Sequence, residues 1–234
     1  GVDADRAAAL AKAMSAGGAH WRGWHIFAGS QALDPNAIIA MQAATFALAT
    51  RLSDEVGATP ELVNLGGGFG LAYFPGDQRL DVRPIGLALG DQIDARAEIL
   101  RDSHFALELG RFLVGEAGVY LTRVIDRKES QGEVFLIVDG GLHHQLAASG
   151  NFGTVVRRNY PIALANRFGA PPAAEPVTVV GCLCTPIDRL GDKLALPPVE
   201  EGDLVAIFLA GAYGASASPA EFLGHPSPRQ LLLG

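Results

Sequence analysis

The stretch Glu108-Leu109-Gly110-Arg111-Phe112-Leu113-Val114 follows a short apolar run, residues 104–107, and sets a carboxylate, a glycine and a guanidinium within four residues. The apolar run reads as a buried strand, so the charges fall at its carboxyl end, the edge where a parallel α/β fold concentrates its chemistry. A charged cluster where burial is expected to be greatest needs a partner. The planar fork of an arginine matches a phosphate, whereas a carboxylate matches a protonated ring nitrogen. One small molecule carrying both groups would satisfy the pair.

Working outward, the upstream sequence repeats the same grammar. Asp3 is a candidate N-cap for an alanine-rich helix over residues 4–15 that stops at Gly17-Gly18. Residues 22–28 read as a strand ending in Gly29-Ser30-Gln31, and Asp34-Pro35 opens a helix running to Val56 and closed by Gly57. A strand at 61–65 leads into Gly66-Gly67-Gly68-Phe69-Gly70, and a further helix is expected over 84–101. Strand, glycine loop and helix thus alternate, which implies a parallel sheet with crossover helices.

Downstream the texture changes. Residues 119–127 and 133–138 flank the polar turn Glu129-Ser130-Gln131-Gly132 as a hairpin, and further β-rich runs lie at 177–183 and 204–209. This half reads as mostly antiparallel β. Residues 151–176, rich in Gly, Pro, Asn and Arg, form a long irregular segment of the sort that carries function or moves. The expected domains are therefore 1–115, part of an α/β unit, and 116–234, a β-rich unit.

At 234 residues and 49% hydrophobic content the chain can bury a sizeable core. A net charge of −7 and a pI near 5.3, with Lys and Arg scattered, argue against nucleic acid and anionic membrane surfaces as partners. No apolar run reaches the ~20 residues that span a bilayer, and no targeting pattern opens the chain, so a cytoplasmic location is expected. Cys182 and Cys184, at i and i+2, have poor disulfide geometry on a strand and read as free thiols.

In order, the chain carries His25-Ile26-Phe27-Ala28-Gly29-Ser30-Gln31, Gly66-Gly67-Gly68-Phe69-Gly70, Glu108-Leu109-Gly110-Arg111, Cys184-Thr185-Pro186-Ile187-Asp188 and Gly211-Ala212-Tyr213-Gly214. Any one glycine motif is weak, but the ordered series is specific. It resembles the fold-type III pyridoxal-phosphate decarboxylases, the family of diaminopimelate, ornithine and arginine decarboxylases, over nearly the whole chain. The segments Val138-Asp139-Gly140-Gly141-Leu142-His143-His144-Gln145 and Cys182-Leu183-Cys184-Thr185-Pro186 are most similar to its exosortase A system-associated branch.

The resemblance implies an α/β plus β fold: part of a (β/α)8 TIM barrel, alanine racemase-like, followed by a β-sandwich or β-barrel-like domain. It implies pyridoxal 5'-phosphate as cofactor. Gly66, Gly67 and Gly68 correspond to the phosphate loop, where glycines let backbone N–H groups crowd an anion; a lone GGGFG would equally be a tight turn. Ser30, Gly110, Arg111 and the Tyr213 hydroxyl correspond to further phosphate contacts, although Tyr213 by itself would read as a core tyrosine. Glu108 corresponds to the partner of the pyridine nitrogen, which keeps the ring protonated and able to accept electrons as CO2 departs. Racemases on the same barrel set a guanidinium there.

Cys184 corresponds to a cysteine that reaches into a neighbouring subunit's site and reprotonates the product carbon, so the resemblance implies a homodimer with shared active sites. By itself it would read as a small buried thiol. Asp188 and Phe222 correspond to positions near the substrate. Two departures bear on specificity. A ring-stacking histidine of the family is here Phe27, with His25 two residues earlier on the same strand face. The acidic residue that commonly follows the cysteine is Thr185, which implies a substrate without a distal ammonium: a neutral amino acid, or one tethered to an acyl carrier protein.

The family's Schiff-base lysine has no counterpart among Lys12, Lys128 and Lys193. The expectation is a fragment lacking the first half of the barrel and inactive alone. His143 and His144 tempt a metal reading together with His20, His104 and His225, but no spacing suits zinc, so loop or exposed histidines and no metal are expected. Two alternatives to a decarboxylase are a non-catalytic relative that binds or regulates one, and an amino-acid racemase.

Overall fold

A computed structural model describes residues 1–151, 157–171 and 175–234. Part of the irregular segment expected at 151–176 lies outside the described residues. The chain forms two compact units, one of residues Gly1–Ala72 and Gln78–Phe112, the other of Tyr73–Asp77 and Leu113–Gly234. Against a simple boundary after residue 115, the short segment Tyr73–Asp77 joins the second unit. Its aromatic rings explain why: Tyr73 packs on Tyr160 with ring centroids 4.9 Å apart, and the Arg158 guanidinium lies 3.9 Å over Phe74.

The first unit holds α1 (Ala4–Ala16), β1 (Gly23–His25), α2 (Pro35–Val56), β2 (Leu62–Gly67), α3 (Arg83–Asp94) and β3 (His104–Glu108), and α4 (Gly110–Val114) begins in it. The strands form a parallel sheet in the order β1-β2-β3. Alternation along each strand divides its residues between two faces. Trp24, Ile26, Val63, Leu65, Phe105 and Leu107 pack with Phe46, Ala49 and Leu100 into one core, which leaves His25, Asn64, Ala106 and Glu108 on the opposite face.

Helix α2 is fixed at both ends. The Asp34 carboxylate accepts the Asn36 N–H at 2.9 Å, Pro35 opens the first turn, and Gly57 closes the helix in the left-handed region at φ 78°. Its buried positions Ile38, Gln42, Thr45, Phe46, Ala49 and Leu52 recur at helical spacing. The Trp24 indole N–H donates to Ser53 Oγ at 2.9 Å, tying β1 to the helix layer.

The helix expected over 84–101 stops at Asp94, and a separate turn of 3-10 helix spans Glu98–Leu100. Arg96 is the reason: its guanidinium caps the Ile93 carbonyl at 2.6 Å and the Arg101 carbonyl at 2.9 Å, and the chain then turns to insert Leu100, fully buried, into the core.

The second unit is a six-stranded mixed sheet, β4 (Tyr120–Ser130), β5 (Glu133–Val138), β6 (Ile162–Leu164), β7 (Pro176–Val180), β8 (Arg189–Ala195) and β9 (Leu204–Ile207), ordered β6-β9-β4-β5-β7-β8. The long β4 serves both halves, pairing with β9 through Tyr120–Arg123 and with β5 from Val124 to Ser130 across a bulge between Val124 and Asp126. The hairpin turn is tighter than expected, with only Gln131 and Gly132 outside the strands, both at positive φ (55° and 79°), the primed turn that suits strand twist. β5 and β7 run parallel, an exception to the antiparallel pattern; β6 and β8 were not foreseen. Val124, Leu136, Val138, Val179, Leu190, Val205 and Ile207 form the dry centre. Among the described residues, no helix is long and apolar enough to cross a membrane.

Two glycine substitutions test this frame. A Cβ on Gly67 would run into the Glu108 carbonyl, whereas one on Gly90, inside α3, meets nothing within 4 Å. Thermal unfolding should show Gly67→Ala destabilised by about 1–3 kcal/mol and Gly90→Ala stabilised by roughly 0.5–1 kcal/mol; equal effects would contradict the packing described.

Candidate active site

Glu108 ends β3 on the face that carries His25 and Asn64. The Asn64 amide donates to Glu108 Oε1 at 2.8 Å, His25 Nε2 lies 3.3 Å from Glu108 Oε2, and Asn64 Oδ1 accepts the Gly66 N–H at 2.9 Å. Each carboxylate oxygen therefore has a partner drawn from another strand of the sheet. The expectation of deep burial is corrected: the Glu108 side chain is 56% exposed, because strand alternation turns it away from the helix-covered core. Asn64 was missed, although one amide inside the apolar run Leu62-Val63-Asn64-Leu65 was the available signal.

The loops after the strands meet at backbone distance. A Cβ on Gly66 would lie 2.7 Å from the Ile26 carbonyl, and one on Gly68 would strike the Gly29 carbonyl. Gly66 and Gly68 also sit at φ 73° and 88°. The glycine triplet thus has a structural cause besides any anion: it lets the loops after β1 and β2 close on each other and on the end of β3. The Ala32 N–H donates to the Gly68 carbonyl at 2.9 Å and the Gly70 N–H to the Ala32 carbonyl at 2.8 Å, which locks the two loops side by side.

Gln31 is the clasp. Its amide donates to the Leu71 carbonyl, and its Oε1 accepts from the Leu71 N–H at 3.3 Å and from Arg111 Nη1 at 3.4 Å. Arg111, in the first turn of α4, is thereby turned toward the loop that carries Ser30, which is exposed. Phe27 is 65% exposed, one residue beyond Ile26. The structure therefore brings Phe27, Ser30, Gly66, Gly67, Gly68, Glu108, Gly110 and Arg111 to one end of the three-stranded sheet.

In the second unit, Cys184, Thr185 and Asp188 share the loop between β7 and β8. Both cysteines are free thiols on this loop rather than on a strand; Cys184 is exposed and Cys182 half-buried. Asp188 is held among backbone amides of its own unit. It is buried, its carboxylate accepts the N–H groups of Leu142 at 2.6 Å and Leu183 at 2.9 Å, and a Cβ on either Gly141 or Gly181 would collide with it. Burial pushes its carboxyl above the usual range, against those two amide bonds. Tyr213 (φ 56°) and Phe222 are partly exposed, Tyr213 on a loop whose Gly211 N–H donates to the Gly115 carbonyl at 3.1 Å.

Of the histidines expected on loops or exposed, His20 and His104 are exposed, but one loop histidine is not. His143 is buried, and burial, then His144 and His225, push its imidazole down to about 4. His144 Nε2 donates to the Pro226 carbonyl at 2.8 Å, so in the neutral ring Nδ1 accepts the Tyr120 hydroxyl at 3.1 Å. Loop position alone gave no sign that the His143 ring would be buried.

The sheet end can pair a carboxylate with a ring nitrogen and a guanidinium, a hydroxyl and a glycine loop with an anion. Residues 11–211 match the family model described as pyridoxal-dependent decarboxylase, C-terminal sheet domain. The chain is 41% identical over 213 residues to the L-glutamyl-(BtrI acyl-carrier protein) decarboxylase of Niallia circulans, covering 90% of this chain and 50% of that protein. It is 32% identical over 214 residues to the diaminopimelate decarboxylase of Halalkalibacterium halodurans, covering 89% and 47%. Among solved structures, a mutant Helicobacter pylori diaminopimelate decarboxylase complexed with L-lysine superposes with a TM-score of 0.77 at 25% identity, covering 97% of this chain and 53% of that one. The chain thus spans about half the length of these relatives. The α/β unit is part of an alanine racemase-like barrel and the mixed sheet is the domain that follows it. On this matched span, the chain belongs to the pyridoxal-dependent decarboxylase family.

Proposed function

We propose that this chain supplies part of the active site of a pyridoxal-phosphate-dependent carboxy-lyase acting on an L-amino acid or an amino-acid derivative. The observation that carries the reading is the Glu108 carboxylate, open to the polar face and steadied by Asn64 at 2.8 Å and His25 at 3.3 Å. The residues present fit the cofactor: an open carboxylate for its ring nitrogen, and Arg111, Ser30 and the Gly66–Gly68 loop on the same sheet end for its phosphate. Gly110 begins the short helix that presents Arg111.

Bound pyridoxal phosphate supplies an electron sink for the pair left when CO2 departs. Glu108 holds a proton at the pyridine nitrogen, and His25 and Asn64 keep the carboxylate aimed. Arg111 grips phosphate with Gln31 orienting its guanidinium, and Phe27 offers an apolar ring face to the cofactor. The Cys184 thiol returns a proton to the product carbon in a partner subunit's site, which makes the working unit a homodimer. Asp188 acts by position, holding the loop that presents Cys184 and Thr185. By the family resemblance, Tyr213 would contact phosphate and Phe222 substrate in the assembled enzyme.

Lys12 lies exposed on α1, and Lys128 and Lys193 lie exposed on β4 and β8. We therefore place the cofactor-anchoring lysine outside these 234 residues, and the chain alone is inactive. For the substrate, the uncharged Thr185 after Cys184 and the likeness to a carrier-protein-dependent decarboxylase favour an aminoacyl group tethered to an acyl carrier protein over a free diamino acid. A carboxylate at position 108, where a racemase would set a guanidinium, disfavours racemisation. A protein of this kind works in the cytoplasm.

In the protein that joins this chain to its lysine-bearing part, Glu108→Ala should lower turnover by ~100-fold or more with the cofactor still bound, read by CO2 release; near-normal turnover would remove Glu108 from this role. Arg111→Ala should instead weaken retention of the cofactor, read by dialysis and absorbance, and unchanged retention would contradict the phosphate assignment. Carrier-bound aminoacyl thioesters should be decarboxylated faster than free lysine, ornithine or diaminopimelate. The opposite order would overturn the carrier reading while leaving the lyase reading intact.

A further inference from the structure

Within the second unit, three residues far apart in sequence converge. His143 follows β5, Cys182 follows β7, and His225 comes from the tail beyond the 3-10 turn Phe222–Gly224. One ligand atom from each lies within 4.8 Å of the others. Cys182 Sγ and His225 Nδ1 are 3.9 Å apart, and the rings of His143 and His225 have centroids 5.1 Å apart. His143 is 1% exposed, yet neither of its ring nitrogens has a hydrogen-bond partner among the described residues. A buried imidazole with both nitrogens idle forfeits its hydration without replacement, and native interiors rarely leave such a group unexplained.

We propose that His143, Cys182 and His225 bind one zinc ion. Two imidazoles and a thiol form a borderline-soft set that suits zinc and disfavours magnesium or calcium, which take oxygen ligands. Bond lengths of ~2.0–2.3 Å in a tetrahedron require donor atoms roughly 3.3–3.7 Å apart, so the cluster needs only a modest contraction. Binding forms Zn–N bonds to the histidines and a Zn–S bond to the cysteine. The thiol proton leaves to solvent, and water fills the fourth position.

The surroundings hold each ligand in place. The Asp188 carboxylate accepts the N–H just before His143, from Leu142, and the N–H just after Cys182, from Leu183. The Cys182 N–H donates to the Gly140 carbonyl at 3.1 Å. His144, satisfied on both nitrogens and so not available as a ligand, fixes the tail beside His225 through the Pro226 carbonyl. Such outer bonds orient ligands in metal sites. The ion would pin the Pro-rich tail to the ends of the parallel pair β5 and β7. The inference is independent of the decarboxylase reading and uses none of its residues as ligands.

The test is Zn2+ titration of the purified, tag-free chain against a chromophoric chelator, with Co2+ substitution as the spectroscopic probe. The expected result is one Zn2+ per chain, and a Co2+ complex with a sulfur-to-cobalt charge-transfer band and the intense visible bands of tetrahedral geometry. Cys182→Ser should abolish the charge-transfer band. His225→Ala, in the partly exposed tail, should abolish stoichiometric binding while circular dichroism stays unchanged, and Cys184→Ser should bind as the parent does. Failure of the parent to compete with the chelator, binding retained in both ligand variants, or a Co2+ complex without the charge-transfer band would each overturn the proposal.

Discussion

The first unit depends on three strand ends meeting at backbone distance with no side chain between them. Gly66, Gly67 and Gly68 lie against the carbonyls of Ile26, Glu108 and Gly29, so the loops after β1 and β2 and the end of β3 act as one body. Any Cβ there would pry the loops apart and shift every group they carry. Parallel pairing places His25 beside Asn64 in register and sets Gly67 opposite Glu108. The polar face is therefore a consequence of register, since period-two alternation sends the apolar partners of these residues into the helix-covered core. The carboxylate can be open to solvent and still well aimed, because its two oxygens are held from different strands.

The second unit uses the same device for another end. Gly141 and Gly181 leave room for a buried carboxylate, and Asp188 fills it, answering two backbone amides that no strand ladder satisfies. A buried charge is tolerable when hydrogen bonds replace its water, and in return it fixes two loops at once. One of those loops presents Cys184 outward and Cys182 inward. Spacing of two residues thus separates a thiol available to solvent from one facing a histidine cluster.

Much of the first unit was legible in the sequence because its signals are local. Asp34-Pro35 and Gly57 mark the ends of α2, Gly17-Gly18 the end of α1, and Gly66-Gly67-Gly68 the end of β2. The motif order identified the family because it samples several strand ends. What was not legible depends on distant partners. The break after Asp94 follows from Arg96 capping carbonyls and Leu100 reaching the core, neither of which helical periodicity records. The parallel pairing of β5 with β7 joins segments some forty residues apart, and the burial of His143 on the loop after β5 left no local mark in the sequence. Asn64 and Gln31 were in view but unassigned, since their roles are defined by Glu108 and Arg111 across the sheet. Fold and family still leave the substrate to be argued from the site itself, where Thr185 and the carrier-dependent relative are the informative features.

The central claim is that the Glu108 carboxylate keeps a bound cofactor's ring nitrogen protonated. The most direct measurement is the 15N NMR shift of ring-labelled pyridoxal phosphate bound to the protein that joins this chain to its lysine-bearing part, compared between the parent and Glu108→Ala. The account predicts a pyridinium shift in the parent and a neutral pyridine shift in the variant. The same shift in both proteins would contradict it.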